Sequence, residues 1–551
     1  MADLAFLWHM HQPDYRHPET GEFVLPWVLL HAIKDYADMA GHLERHPQVR
    51  CTVNFVPVLL DQLEDYADQF ATGQWRDPLL YIAAHEDPDR LSDSDRRWLL
   101  NMAFRCHAPT MLEPFAPYRR LRDLEVFIRR HGGAGLEYLS GHYFADLATW
   151  FLLAWTGETL RREGTTIPAL IARGDRFTLA DRECLLAALA GAVRRLIPRY
   201  RALEERGQIE LSCTPGTHPL APLLIDFGSA REAWPDCPLP GAPEYPDGRA
   251  RVAVHLEQAR HSHQERFGRV PTGLWPAEGA LSTPFLEQVS AAGFTWTASS
   301  LGVLRNSAGE KASPYRPWRV PAGTADNLTL FFRDERLSDL IGFEYARWHG
   351  RDAARHFVDQ AEAIVRAEPD ALIPVFLDGE NAWEYYPYNA WYFFEELYTL
   401  LTEHPEIRTT TLAEAAVDHR ERTQPLPGLT AGSWVYGTFS TWIGNPDKNR
   451  AWDLLCEAKL CVDRALDGGL LSAAEQEAVL KRLLVCESSD WFWWFGDYNP
   501  AQSVASFDTL FRDNLKALYR LLKLPTPADL DQPISRGGGP AESGGTMRRA
   551  T

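Results

Sequence analysis

Positive charge is scarce in this chain of 551 residues: 56 Lys and Arg stand against 75 Asp and Glu, a formal net charge of −19. Phosphate backbones are held by clustered cations, so nucleic acid is excluded as a partner and a neutral ligand fits better. No apolar run approaches the ~20 residues of a membrane-spanning helix, which removes the membrane as a partner. Cys-x-x-Cys pairs are missing too. The eight cysteines, scattered from Cys51 to Cys486, suit buried free thiols in a reducing compartment rather than a disulfide framework. The amino terminus, Met1-Ala2-Asp3-Leu4-Ala5-Phe6-Leu7-Trp8-His9, lacks a basic segment, a following apolar segment and a small-residue cleavage site. It reads as a first strand, and the expected location is the cytoplasm. There is no internal repeat, and nothing in the sequence fixes the oligomeric state.

What is present is a globular composition, 45% apolar and 24% charged, with an unusual supply of aromatics: 19 Trp and 19 Tyr. Flat rings suit the apolar faces of sugars, although most must fill cores. The length exceeds one ordinary domain and suits an elaborated barrel plus a second lobe. Up to about residue 420, short apolar runs alternate with longer amphipathic stretches, the rhythm of an α/β fold built on a parallel sheet. Strands are predicted at 4–9, 52–56, 209–213, 272–277, 294–299, 328–333 and 372–377, close to the number a barrel requires. A helical insertion at about 76–206 separates the second and third strands, and such insertions wall clefts. The proline-rich stretch 225–248 reads as a long ordered loop near the site. The catalytic unit is expected to span 1–425, with a helical domain at 426–524 contributing to the cleft. Residues 525–551, rich in Pro, Gly and Ser, read as a disordered tail.

Two strand ends carry acids beside aromatics. Gly273-Leu274-Trp275-Pro276-Ala277-Glu278 is one, and Val375-Phe376-Leu377-Asp378-Gly379-Glu380-Asn381-Ala382-Trp383 the other. Residues at the carboxyl ends of parallel barrel strands face the site. Cleavage of a glycosidic bond needs two carboxyl groups, one to attack or activate water and one to protonate the leaving oxygen. A nucleophile must stay ionised, so Glu278 needs hydrogen-bond donors, whereas an apolar pocket around Asp378 would raise its pKa as a general acid requires. Glu380 would share the face of Asp378 and perturb it further.

His9-Met10-His11-Gln12-Pro13 closes the first strand, and alternation puts His9 and His11 on one face. Metal ligation, sugar contact and a structural role are all open for this pair. The third strand carries Glu210, which is either paired or functional, and leads to His218 beyond its end. Arg333-Asp334 ends another strand. Two tryptophan-bearing segments lie in the carboxy-terminal part, 434–446 with Trp434 and Trp442, and 488–497 with Asp490 and Trp491. The second cluster suits lobe-to-lobe core, but Asp490 points to the cleft.

In order along the chain, these segments resemble the five short conserved regions of glycoside hydrolase family 57. His11-Gln12-Pro13 is similar to the first, 207–219 to the second, Trp275 to Glu278 to the third, Asp378-Gly379-Glu380-Asn381 to the fourth, and Trp442-Ile443-Gly444-Asn445-Pro446 to the fifth. The resemblance implies an incomplete (β/α)7 barrel followed by a helical region, and a retaining mechanism on α-glucans without a metal or other cofactor. Glu278 would be the nucleophile and Asp378 the general acid/base. His9, His11, Gln12, His218, Trp275, Arg333, Asp334, Glu380, Trp383, Trp434, Trp442, Asp490 and Trp491 would bind substrate. The fourth region resembles that of α-amylases and amylopullulanases, whereas Ser488-Ser489-Asp490-Trp491 resembles branching enzymes, so 4-α-glucanotransferase and branching activities stand as alternatives. From other classes come a metal-dependent carbohydrate deacetylase or mannosidase-like hydrolase, with His9, His11 and His218 as ligands, and a glucan-binding protein without turnover.

Overall fold

The computed structural model describes residues 1–130, 135–320, 325, 328–469 and 471–539. Ten strands form one sheet: β1 (Ala2–Met10), β2 (Cys51–Phe55), β3 (Ile209–Cys213), β4 (Gly273–Leu274), β5 (Trp296–Ser300), β6 (Trp318–Arg319), β7 (Thr329–Arg333), β8 (Leu372–Asp378), β9 (Ile407–Thr410) and β10 (Gln424–Pro425). Seven of them run parallel in the order β7-β5-β4-β3-β2-β1-β8 and curl into a barrel. Among the described residues no strand ladder joins β7 to β8; the gap is spanned by Asp334 N donating to Pro374 O at 2.7 Å and by Arg333 Nη1 donating to Phe376 O at 3.3 Å. This is an incomplete (β/α)7 barrel, as the sequence led us to expect. The seven expected strands are all present, and β6, β9 and β10 are short additions that alternation does not reveal.

Two cores follow from the period-2 strand geometry. On β1, Leu4, Phe6, Trp8 and Met10 face outward into the large core beneath the helices, whereas Ala5 and Leu7 face inward. The inner core also holds Trp275, Trp296, Ala298, Phe331 and Phe376, and the helix Leu412–Asp418 plugs its floor with Leu412 and Ala415. Glu210 belongs to this floor. Its carboxylate accepts from Thr52 Oγ1 at 3.0 Å, Trp296 Nε1 at 2.7 Å and Ala413 N at 2.8 Å, so the buried acid is a paired structural one. Continuing the inward face of β1 past Leu7 places His9 and then His11 over the barrel mouth.

Between β2 and β3 lie the helices Pro57–Thr72, Pro78–Ala84, Asp93–Met102, Ala116–Arg130, Gly141–Ala154, Glu158–Glu163 and Thr166–Arg173 and the 27-residue helix Leu179–Glu205. After β10 come the helices Pro446–Asp467, Ala473–Cys486, Ser489–Trp494 and Ala501–Leu521. The tail departs from its composition. Asp508 Oδ1, on the last of these helices, accepts from Ile534 N at 2.7 Å and Ser535 N at 3.0 Å, and Leu530 is buried. Residues 525–539 are therefore folded against the helical lobe, because a buried aspartate supplies partners that a Pro/Gly-rich reading cannot see; 540–551 of the expected tail lie outside the described residues. Among the described residues no helix is long and apolar enough to cross a membrane.

Candidate active site

A cavity of about 680 Å³ opens over the carboxyl ends of the strands. β1 brings His9 and, just beyond its end, His11 and Gln12; the turn after β4 brings Glu278, and β8 brings Asp378 and then Glu380. The register sets His9 beside both Asn54 and Asp378. His218, Arg333, Trp434 and Asp490 complete the expected residues that line it.

Glu278 sits in the left-handed region, φ 59° and ψ 23°, a conformation that costs a glutamate about 1–2 kcal/mol. The segment around Trp434 holds it there. Trp434 N donates to Glu278 O and Trp434 Nε1 to Glu278 Oε2, each at 2.9 Å, while Leu281 and Gly432 exchange two backbone bonds alongside. The expected donor exists, but it does not keep the acid ionised. Burial, with the charges of Asp490 and Asp378, outweighs the Trp434 bond and pushes Glu278 up to about 8. Asp378 is also raised by burial, with Asn381 Nδ2 donating to its Oδ2 at 2.9 Å and the charges of His11 and Arg333 acting against the rise. Burial and the negative charges of Asp378 and Asp35 hold Glu380 well above the usual carboxyl range. Burial in the free site therefore raises both strand-end acids above an ordinary carboxyl.

Three imidazoles stack above the pair. His9 Nδ1 donates to Asn54 Oδ1 at 2.7 Å, and burial followed by the His11 charge lowers His9 to about 3, so it is neutral. His11 lies face to face with His218, centroids 3.8 Å apart and planes 17° off parallel, and His11 Nε2 donates to both Asp490 oxygens at 3.0 Å. His218 Nδ1 bonds Ser489 Oγ at 2.9 Å and lies 4.0 Å from Glu278 Oε1. His11, His218 and Asp490 are close enough together to surround an ion. The face-to-face stack argues otherwise: ring lone pairs lie in the ring planes, so those of two parallel imidazoles run side by side instead of converging on one metal. His9, the third ligand of the metal reading, is turned to Asn54.

Several expected sugar contacts are braces instead. Trp275 is fully buried beneath the cavity, edge-on to Trp434 at 5.1 Å, and so supports the ring that holds Glu278. Trp383 faces the outer core. Its Nε1 donates to Gly379 O at 2.7 Å, fixing the turn between Asp378 and Glu380, where a Cβ on Gly379 would meet Met10 Sδ at 2.2 Å. Trp442 is buried under the helical lobe, its carbonyl accepting from Trp452 Nε1, and Trp491 donates to Val485 O and packs on Phe511. Asp334 caps the helix Glu335–Asp339 and accepts from Tyr315 OH at 2.7 Å. In each case proximity to a motif gave the right neighbourhood and the wrong depth. Arg333 does reach the cavity, 5.2 Å over the Trp434 ring.

Other lining residues are not singled out by the sequence, and Trp27, His31, Trp155 and Phe507 lie outside every motif. Trp27 and Trp155 (centroids 5.7 Å apart), His31 and Glu384 form one aromatic and polar group of the lining. Trp493 and Trp494, inside the second tryptophan-bearing segment, form another with Phe507, Trp494 stacking on Phe507 at 4.4 Å. Asn381 was inside the fourth motif, and its hydrogen bond to Asp378 is the signal that its spacing offered. The proline-rich stretch 225–248 does not line the cavity; it packs between barrel and helical lobe, Tyr245 OH reaching Glu487.

The molecule is similar in fold to a GH57-type branching enzyme of Pyrococcus horikoshii, at TM-score 0.59 and 16% identity over 94% of this chain and 89% of that one. It is similar to the α-amylase AmyC of Thermotoga maritima at 0.58 and 14%, covering 95% and 93%, and to a 4-α-glucanotransferase of Thermococcus litoralis at 0.52 and 14%, covering 94% and 60%. The family model for glycosyl hydrolase family 57 matches residues 5–427, most of the chain and every strand-end acid described above, and so the chain belongs to glycosyl hydrolase family 57.

Proposed function

We propose that this enzyme acts on α-1,4-glucans with retention of configuration, with Glu278 as nucleophile and Asp378 as general acid/base. The carrying observation is that one cavity receives two partly buried carboxyls from opposite parts of the barrel mouth, each with one oxygen held by a donor, Trp434 Nε1 on Glu278 and Asn381 Nδ2 on Asp378. In its ionised form, Glu278 attacks the anomeric carbon as Asp378 gives its proton to the leaving oxygen. Asp378 then takes a proton from water as that water releases the sugar from Glu278. Neutral His9 and His218 offer ring nitrogens to sugar hydroxyls without adding charge. Two aromatic groups in the cavity lining offer surfaces on which a sugar chain can stack.

The overall reaction is hydrolysis of the α-amylase type, extending to α-1,6 cleavage as in amylopullulanases. A transferase reading, 4-α-glucanotransferase or branching, is favoured by one observation. Both acids are partly buried and the cavity lining carries two aromatic groups, so a second sugar chain could compete with water for the intermediate. Product analysis on maltooligosaccharides, amylose and pullulan separates them: shorter reducing products mean amylase, maltotriose from pullulan means debranching, and lengthened or branched products mean transfer. Glu278→Gln and Asp378→Asn should each lower turnover by several orders of magnitude with binding largely kept; near-wild-type turnover in either variant contradicts the assignment.

A further inference from the structure

Directly after the helix Ala473–Cys486, Glu487 enters a place where it has no solvent at all. Four donors meet its two oxygens. Arg251 Nε and Tyr245 OH reach Oε1 at 2.7 and 2.6 Å, and Arg251 Nη2 and His255 Nε2 reach Oε2, both at 2.8 Å. All four belong to the barrel side: Tyr245 to the proline-rich loop, Arg251 and His255 to one face of the helix Gly248–Phe267. Burial alone would raise this carboxyl, but the bonds and charges of Arg251 and His255 outweigh it and hold it at about 2.

The next three residues touch the site. Ser488 pairs with Pro219, Ser489 N donates to His218 O at 2.9 Å, Ser489 Oγ bonds His218 Nδ1, and Asp490 accepts from His11 Nε2. His218 itself is held in the left-handed region at φ 66°, a conformation that needs outside support. A buried ion pair of this kind adds little net stability, because desolvation offsets attraction and apolar packing would serve as well; what it supplies is one geometry. We propose that Glu487 is a positioning residue for the glycosidase site: anchored by Arg251, His255 and Tyr245, it fixes the Ser488–Asp490 turn and through it sets the position of His218 and His11 over Glu278. This rests on the reading of Glu278 as nucleophile.

The test compares Glu487→Gln and Tyr245→Phe with the wild-type enzyme in thermal stability, kcat and KM on a maltooligosaccharide, and imidazole nitrogen resonances in ¹⁵N-histidine-labelled protein. Folded Glu487→Gln should lose about 10–100-fold in kcat, the size of effect that outer supporting contacts have elsewhere, with KM within about twofold of wild type. The His218 and His11 resonances should shift. Tyr245→Phe, which keeps the charged contacts and the fold, should show a smaller change in the same direction. Wild-type kcat with unmoved His218 and His11 resonances in Tyr245→Phe and in any folded Glu487→Gln overturns the proposal. If Glu278→Gln proves active while these resonances still move in Glu487→Gln, the anchor stands and the nucleophile reading fails.

Discussion

Glu278 carries two costs, a left-handed backbone and a carboxyl taken out of water. The second has a defined pH signature. Its proton is held more tightly in the folded chain, at about 8 against an ordinary 4.5, so the folded state binds more protons than the unfolded state between those values. Stability must therefore fall as pH rises through that window. Glu278→Gln removes the loss, so its unfolding free energy should exceed that of wild type by a margin that widens from pH 5 to pH 8, on the order of a few kcal/mol at the upper end, with Tm rising in step. A margin that stays constant across the window contradicts the burial argument. Trp434→Phe tests the donor: Glu278 should rise further, moving the acid limb of kcat/KM to higher pH, and kcat should fall by about 10–100-fold, as removal of one fixed donor does in other active sites. An unmoved limb in a folded variant would mean that the bond does not govern the acid.

At the scale of elements, β1 shows what alternation reveals. Leu4, Phe6 and Trp8 against Ala5, Leu7 and His9 can be sorted into outer and inner faces from the sequence alone, and the two cores match that sorting. The strand-end acids follow from the same rule. Depth does not follow, because a tryptophan near a strand end can sit above the barrel or beneath it, and only the packing of distant helices decides. Trp383 is held by Trp8, from the far end of the sequence, and by Phe394 of a nearby helix, and Trp27 meets Trp155 from the insertion. The distinction is measurable. Trp383→Ala should lower stability by about 3–5 kcal/mol, the cost of a large core deletion. Trp27→Ala should leave Tm near wild type and lower kcat/KM for long relative to short maltooligosaccharides by roughly tenfold, equivalent to ~1.4 kcal/mol. Thermal melts and a chain-length series check both, and the reverse pattern would exchange the roles of the two rings.

In the whole molecule, the cavity is a joint product of three parts: barrel, helical insertion and helical lobe. The contact between His11 and Asp490 closes a loop of nearly the entire chain. Short motifs made the acids legible because each is confined to a strand end. The loop-to-histidine contacts and the Glu487 anchor were illegible because their partners are joined only by the fold. The family match over residues 5–427 agrees with a glycoside-processing site. The central claim is that the reaction passes through a sugar covalently bound to Glu278. The direct measurement is to react the enzyme with a fluorinated α-glucosyl fluoride that forms the intermediate faster than it decomposes, then digest it and map the added mass. The account predicts one glycosyl adduct on the peptide containing Glu278, absent from Glu278→Gln. An adduct on another carboxylate, or turnover that gives the inverted anomer with no adduct, would contradict it.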